Sequence, residues 1–177
     1  NHRSPAIILD RDGTVSEEVG YMYDVSLYSV FPWTGEAIRR INQSGMKVVL
    51  ATNQSGIERG YFQESMVHRV HDRLREEIAQ VQARLDGVYF CPHLPDSGCE
   101  CRKPRPGMLF RAQNELGLDL HRSYMVGDRY LDVRTGKAAG VGTVLVLSGD
   151  GRKEYKEFKD TDVQPYFVAE DLAEAVD

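Results

Sequence analysis

Two aspartates separated by one residue, in the string DRDGT at 10–14, are the first side chains in this 177-residue chain whose types and spacing could do chemistry. At a strand end, side chains two residues apart point toward one spot, and Gly13 permits the sharp departure that exposes them. A third acid, Asp128, follows another strand-like run in the string GDRYLD. Together Asp10, Asp12 and Asp128 make a cage of hard oxygens that suits Mg²⁺ better than zinc. Reaction at a phosphate ester needs such a cation, because the anionic ester otherwise repels an attacking carboxylate. A turn with capping aspartates uses the same residue types. The string TNQSG after a second strand, and a lysine ahead of a later helix, favour the catalytic reading.

A second constellation lies in CPHLPDSGCEC at 91–101. Cys91, His93, Cys99 and Cys101 supply three thiolates and one imidazole, enough to close a tetrahedral Zn²⁺ shell, so the expected role is structural. In small zinc modules such an ion contributes on the order of 10 kcal/mol of folding free energy. The loop ends directly at Arg102 and Lys103, so the metal is expected to hold the segment that carries that lysine. His68 and His71 have no acidic or thiol partner at matching spacing and read as solvated.

These groups need a scaffold. Short, β-branched, nearly continuous apolar runs at 6–10, 47–53, 88–90, 123–126, 143–147 and 166–168 read as strands buried on both faces. Helical patterns lie between them: one capped by Thr34 and closed by Gly45, and a long one over 64–84 with Met66, Val70, Leu74, Ile78, Val81 and Leu85 inward. A third runs from Pro106 to Gly117, a fourth follows Asp128, and a short last one covers 170–176. Alternation of this kind predicts an α/β fold, a three-layer, doubly wound parallel sheet forming one domain over 1–177. Ligands in such sheets sit beyond the carboxyl ends of the strands, where Asp10, Thr52, the cysteine cluster and Asp128 all fall. The charged stretch 149–162 reads as a solvated loop or helix.

Composition narrows the partners. A net charge of -5 disfavours a polynucleotide, whose backbone draws a basic surplus. Apolar runs such as 47–51 fall far short of the roughly 20 residues needed to cross a bilayer, and no signal peptide is visible. Three clustered cysteines make a poor disulfide framework, which points to a reducing, cytoplasmic setting. A monomer acting on a small molecule is expected.

DRDGT, TNQSG, the lysine in CRKPRPGM and GDRYLD, in that order, resemble the four motifs of the haloacid dehalogenase superfamily of phosphatases, over nearly the whole chain. The resemblance implies an aspartyl-phosphate mechanism. Asp10 would attack phosphorus, and Asp12 would protonate the leaving oxygen and then deprotonate water. Thr52 would bind phosphoryl oxygens and Lys103 would neutralise charge. Asp128 would hold Mg²⁺ with Asp10 and the Asp12 carbonyl, with Asp132 acting from behind. CPH…CxCRKPRPGM and TNQSGIERGYF resemble a branch whose members hydrolyse heptose 1,7-bisphosphate, at the 7-phosphate, or histidinol phosphate; the heptose type is the closer. That likeness implies substrate contacts from Glu18, Val19, Gly20, Tyr21, Asn53, Gln54, Ser55, Arg59, Arg102 and Arg129. Only nineteen residues separate Thr14 from Thr34, so no large cap domain is expected. A phospho-accepting signalling domain would share the sheet but needs neither an acid like Asp12 nor a zinc loop.

Overall fold

A computed structural model describes residues 3–18 and 24–176. Six parallel strands form one sheet: β1 (Ala6–Leu9), β2 (Lys47–Asn53), β3 (Gly87–Cys91), β4 (Tyr124–Gly127), β5 (Gly142–Val146) and β6 (Phe167–Ala169), in the order β3-β2-β1-β4-β5-β6. Register is set by apolar side chains on both faces. Ile8 lies opposite Val49 and Met125, and Leu9 opposite Leu50 and Val126.

Alternation along the strands divides the core in two. Leu9, Val48 and Leu50 face a layer that includes Ile38 of α1 (Thr34–Gln43), Leu74 and Ile78 of α2 (Glu64–Ala79) and Leu172 of α6 (Leu172–Ala175). Ile8, Val49 and Ala51 face the other side, with Met108 and Leu109 of α3 (Gly107–Leu116). Helices α4 (Tyr130–Ala139) and α5 (Gly151–Phe158) complete the set. Fully buried side chains such as Leu9, Leu50 and Leu74 each stabilise the fold by roughly 2 kcal/mol. No large cap domain interrupts the described chain, and none of its helices is long and apolar enough to cross a membrane.

Two expectations need correction. Thr34 does not cap α1; its hydroxyl donates instead to the Val15 carbonyl at 2.7 Å, tying the helix start to the loop after β1. The long helix stops at Ala79 rather than near residue 84, because the chain turns through Gln82 at φ 65. Val81 is consequently exposed, while Leu85 reaches the core by a separate route.

Strand order reverses direction between β1 and β4, the switch point where a crevice opens beyond the carboxyl ends of such sheets. Asp10 leaves β1 there and Asp128 leaves β4.

Candidate active site

Carboxylate oxygens of Asp10, Asp128 and Asp132 lie within 4.8 Å of one another at this crevice. Lys103 enters from the β3–α3 connection with its ammonium buried, donating to Asp10 Oδ1 at 2.9 Å and Asp132 Oδ1 at 2.7 Å. Burial alone would push its pKa down, but the two carboxylates outweigh that and hold it charged, above its ordinary value. One lysine does not balance three acids. Burial, then Asp10 and Asp132, push the Asp128 carboxyl well above the usual carboxylate range.

Asp128 Oδ2 accepts the Asp150 N–H at 2.9 Å, whereas the buried Oδ1 has no hydrogen-bond partner. A buried carboxylate oxygen left unpaired beside two more acids fits a hard divalent cation, whose charge would satisfy it. Gly13 makes the approach possible. A Cβ there would stand 2.0 Å from Asp128 Oδ2, and its φ of 85 lies in the left-handed region.

Thr52, next to the last residue of β2, faces the same cleft, its hydroxyl accepting from Gln54 Nε2 at 3.0 Å. Asn53 Oδ1 accepts the Lys103 N–H at 3.1 Å, so this side chain holds the lysine segment directly. The cleft has a volume of about 410 Å³; Asp12, Glu18 and Ser55 also line it, with the cationic side chains Arg59, Arg102 and Arg129. Arg59 donates to Ser55 Oγ at 3.3 Å, Arg102 to the His93 carbonyl at 3.1 Å, and Arg129 to Asp150 at 2.8 Å. Val19, Gly20 and Tyr21 lie outside the described residues.

Cys91, His93, Cys99 and Cys101 converge with their ligand atoms within 4.8 Å of one another. Burial pushes the Cys91 thiol up, so that group ionises readily only beside a cation. Four converging soft and borderline donors of this kind fit zinc. Their loop is tied to the cleft: the Gln54 N–H donates to the Cys91 carbonyl, and Glu58 accepts from the Leu94 N–H.

The chain matches the HAD-hydrolase-like family model over residues 100–175. A D-glycero-beta-D-manno-heptose-1,7-bisphosphate 7-phosphatase from Yersinia pestis is 45% identical over 153 residues, covering 82% of this chain and 81% of that protein. This chain belongs to the HAD-like hydrolases. Another HAD-like relative, the D-glycero-D-manno-heptose-1,7-bisphosphate 7-phosphatase of Thermosynechococcus vestitus, is 41% identical and covers 98% of this chain and 94% of its own. Among solved HAD-like structures, the D,D-heptose 1,7-bisphosphate phosphatase from B. bronchiseptica, complexed with magnesium and phosphate, superposes with a TM-score of 0.89. It is 36% identical, covering 97% of this chain and 96% of that one. The protein is thus a phosphoric monoester hydrolase of the HAD-like type.

Several residues of this HAD-like site escaped the sequence reading. Ser148, Gly149 and Asp150 fall in or beside a stretch expected to be solvated, yet they pack against Gly13 and Asp128. Ser148 Oγ donates to the Gly13 carbonyl at 2.7 Å, and a Cβ on Gly149 would meet Gly13 Cα at 2.4 Å. They follow a strand end like the other motifs, which was the available signal.

His71 is a correction. Expected in solvent, it is 4% exposed on the inner face of α2, with Nε2 3.3 Å from Arg11 Nη1. Burial, then Arg11, His68 and Arg75, lower its pKa to about 3 from an ordinary 6.5. A histidine held neutral when folded takes up protons preferentially when unfolded, so stability falls as pH drops from about 6.5 toward 3. At pH 5 this costs on the order of 2 kcal/mol. His71→Gln should therefore flatten the acid limb of a stability–pH curve measured by urea unfolding; an unchanged slope between pH 6.5 and 4.5 would contradict a buried neutral ring.

Proposed function

We propose that this HAD-like phosphatase removes the 7-phosphate of D-glycero-D-manno-heptose 1,7-bisphosphate through a phosphoryl intermediate on Asp10. The observation that carries the reading is Lys103, buried and bonded to both Asp10 and Asp132, beside an Asp128 oxygen with no protein partner. That is a site built for one phosphoryl group and one cation. Mg²⁺, held by Asp10, Asp128 and the Asp12 carbonyl, would supply positive charge to the phosphoryl oxygens, with Asp132 fixing Lys103 from behind.

An Asp10 oxygen forms a bond to phosphorus while the ester P–O bond breaks, and the departing oxygen takes its proton from Asp12. Water then bonds to phosphorus, gives its proton to Asp12, and the Asp10–phosphorus bond breaks to release phosphate. Thr52, its hydroxyl set by Gln54, donates to a phosphoryl oxygen. A bisphosphate leaves one phosphate unreacted, and Arg59, Arg102 and Arg129 supply forks to hold it, with Glu18, Asn53 and Ser55 at the sugar. The names of the relatives support the heptose over other esters. Steady-state kinetics on the heptose bisphosphate, its 1-monophosphate and histidinol phosphate tests this. The bisphosphate should lead in kcat/KM by at least about 100-fold. Parity with histidinol phosphate would overturn the substrate assignment.

Zinc at Cys91, His93, Cys99 and Cys101 would be structural, and the need for free thiols supports a reducing, cytoplasmic compartment. Because Arg102 and Asn53 link the zinc loop to Lys103, Cys99→Ser should lower zinc content, the melting temperature and kcat together. Full activity in a zinc-depleted sample supplied with Mg²⁺ would break that link.

A further inference from the structure

Arg11 stands between the two motif aspartates, and it is 2% exposed. A buried guanidinium is costly unless every face is engaged. Here it is. Nε donates to Asp12 Oδ1 at 3.1 Å and Nη2 to Asp12 Oδ2 at 3.0 Å, a two-pronged grip on one carboxylate. The remaining amino group, Nη1, meets His71 Nε2 at 3.3 Å, and the guanidinium lies 5.8 Å from the centre of the Tyr28 ring. An arginine has donors only, so Nε2 of His71 must accept, which places the ring proton on Nδ1.

The main chain of the same residue is equally fixed: the Arg11 carbonyl accepts the N–H groups of Thr14, Val15 and Ser16. Asp12 therefore extends from an anchored backbone, and its carboxylate plane is set by a planar fork rather than by free rotation. Each oxygen keeps an outer lone pair, and 18% of the side chain remains exposed at the cleft. A carboxyl group that must give a proton to one oxygen and take one from another depends on that plane, since proton transfer requires alignment within hydrogen-bond reach.

We propose that Arg11 and His71 are positioning residues for proton transfer by Asp12: the guanidinium sets the carboxylate plane, and His71, from helix α2, sets the guanidinium. The inference rests on reading Asp12 as the proton donor. Nothing about chain folding requires a histidine among Val67, Val70 and Leu74 on that helix face, where leucine would pack with less desolvation.

The test uses zinc- and magnesium-replete enzyme on two esters: an alkyl sugar phosphate, whose leaving oxygen needs a proton, and p-nitrophenyl phosphate, whose leaving group does not. His71→Leu should lower kcat/KM, which reports leaving-group departure and not the later hydrolysis step shared by both esters, by about tenfold or more on the alkyl ester but less than about threefold on p-nitrophenyl phosphate. His71→Gln, which keeps an acceptor for Nη1, should recover most of the loss. Arg11→Lys, which keeps the charge and loses the fork, should show the same ester dependence, and serves if His71→Leu does not fold. Equal losses on both esters, or none on the alkyl ester, would overturn the proposal. Asp12→Asn separates the two levels. If it too lacks ester dependence, the proton-donor reading fails; if it alone shows that dependence, only the positioning role fails.

Discussion

Asp10→Asn should lower kcat by at least about 10⁴-fold while leaving the fold and the zinc content unchanged. The amide keeps the shape of the carboxylate and one hydrogen bond to Lys103, so the loss belongs to nucleophilicity rather than to packing. It also removes one negative charge from a crowded group, relieving the repulsion that pushes Asp128 upward. The variant should thus melt at or above the wild-type temperature in the absence of added metal. Thermal unfolding and phosphate release, measured on one preparation, check both halves. Activity within about 100-fold of wild type would point to a nucleophile other than Asp10.

Lys103→Met should be the most damaging single change for fold and function together. Its ammonium is buried against Asp10 and Asp132, and removing one partner of a buried ion pair costs about 3–5 kcal/mol. Three acids then face one another with no internal cation. Turnover should fall by about 10³-fold or more, because the incoming phosphate loses its charge partner as well. The pH dependence has a definite sign. Asp128 and Asp132 already stand above the ordinary 3.8 through burial and repulsion by Asp10, and losing the lysine raises Asp132 further. Carboxyls with raised folded values bind protons more tightly when folded, so the stability deficit of the variant should shrink as pH falls from 7 toward 4. Urea unfolding at pH 7 and pH 5 reads this directly. A deficit that grew on acidification would mean that the lysine is not balancing these acids.

Much of this architecture was legible in the residues because parallel strands buried on both faces announce themselves as continuous apolar runs. The string KVVLATN and β2 coincide from Lys47 to Asn53, and the carboxyl-end rule located Asp10 and Thr52 in one crevice with Asp128 beside Asp10. What escaped has a physical reason in each case. His71 lies four residues after Val67 and three before Leu74, so helical spacing placed it inward; reading histidine as polar hid that. Arg11 was passed over because residues between two catalytic groups on a strand end face away from them, and a long side chain that curls back is invisible to alternation. Ser148 to Asp150 sit before a strongly charged helix, and the helix's polarity masked a turn that packs against Gly13. Thr34 carries the right side chain for a cap, but the helix takes Trp33 as its N-cap and leaves Thr34 inside the first turn, its hydroxyl donating to Val15.

The account stands on an oxygen of Asp10 forming a covalent bond to phosphorus. Enzyme mixed with excess substrate and Mg²⁺, quenched in acid within the first turnovers and digested for mass spectrometry, should carry a phosphoryl group on the peptide that includes Asp10, with none in Asp10→Asn. A phosphoryl group found on another side chain, with Asp10 unmodified, would contradict it.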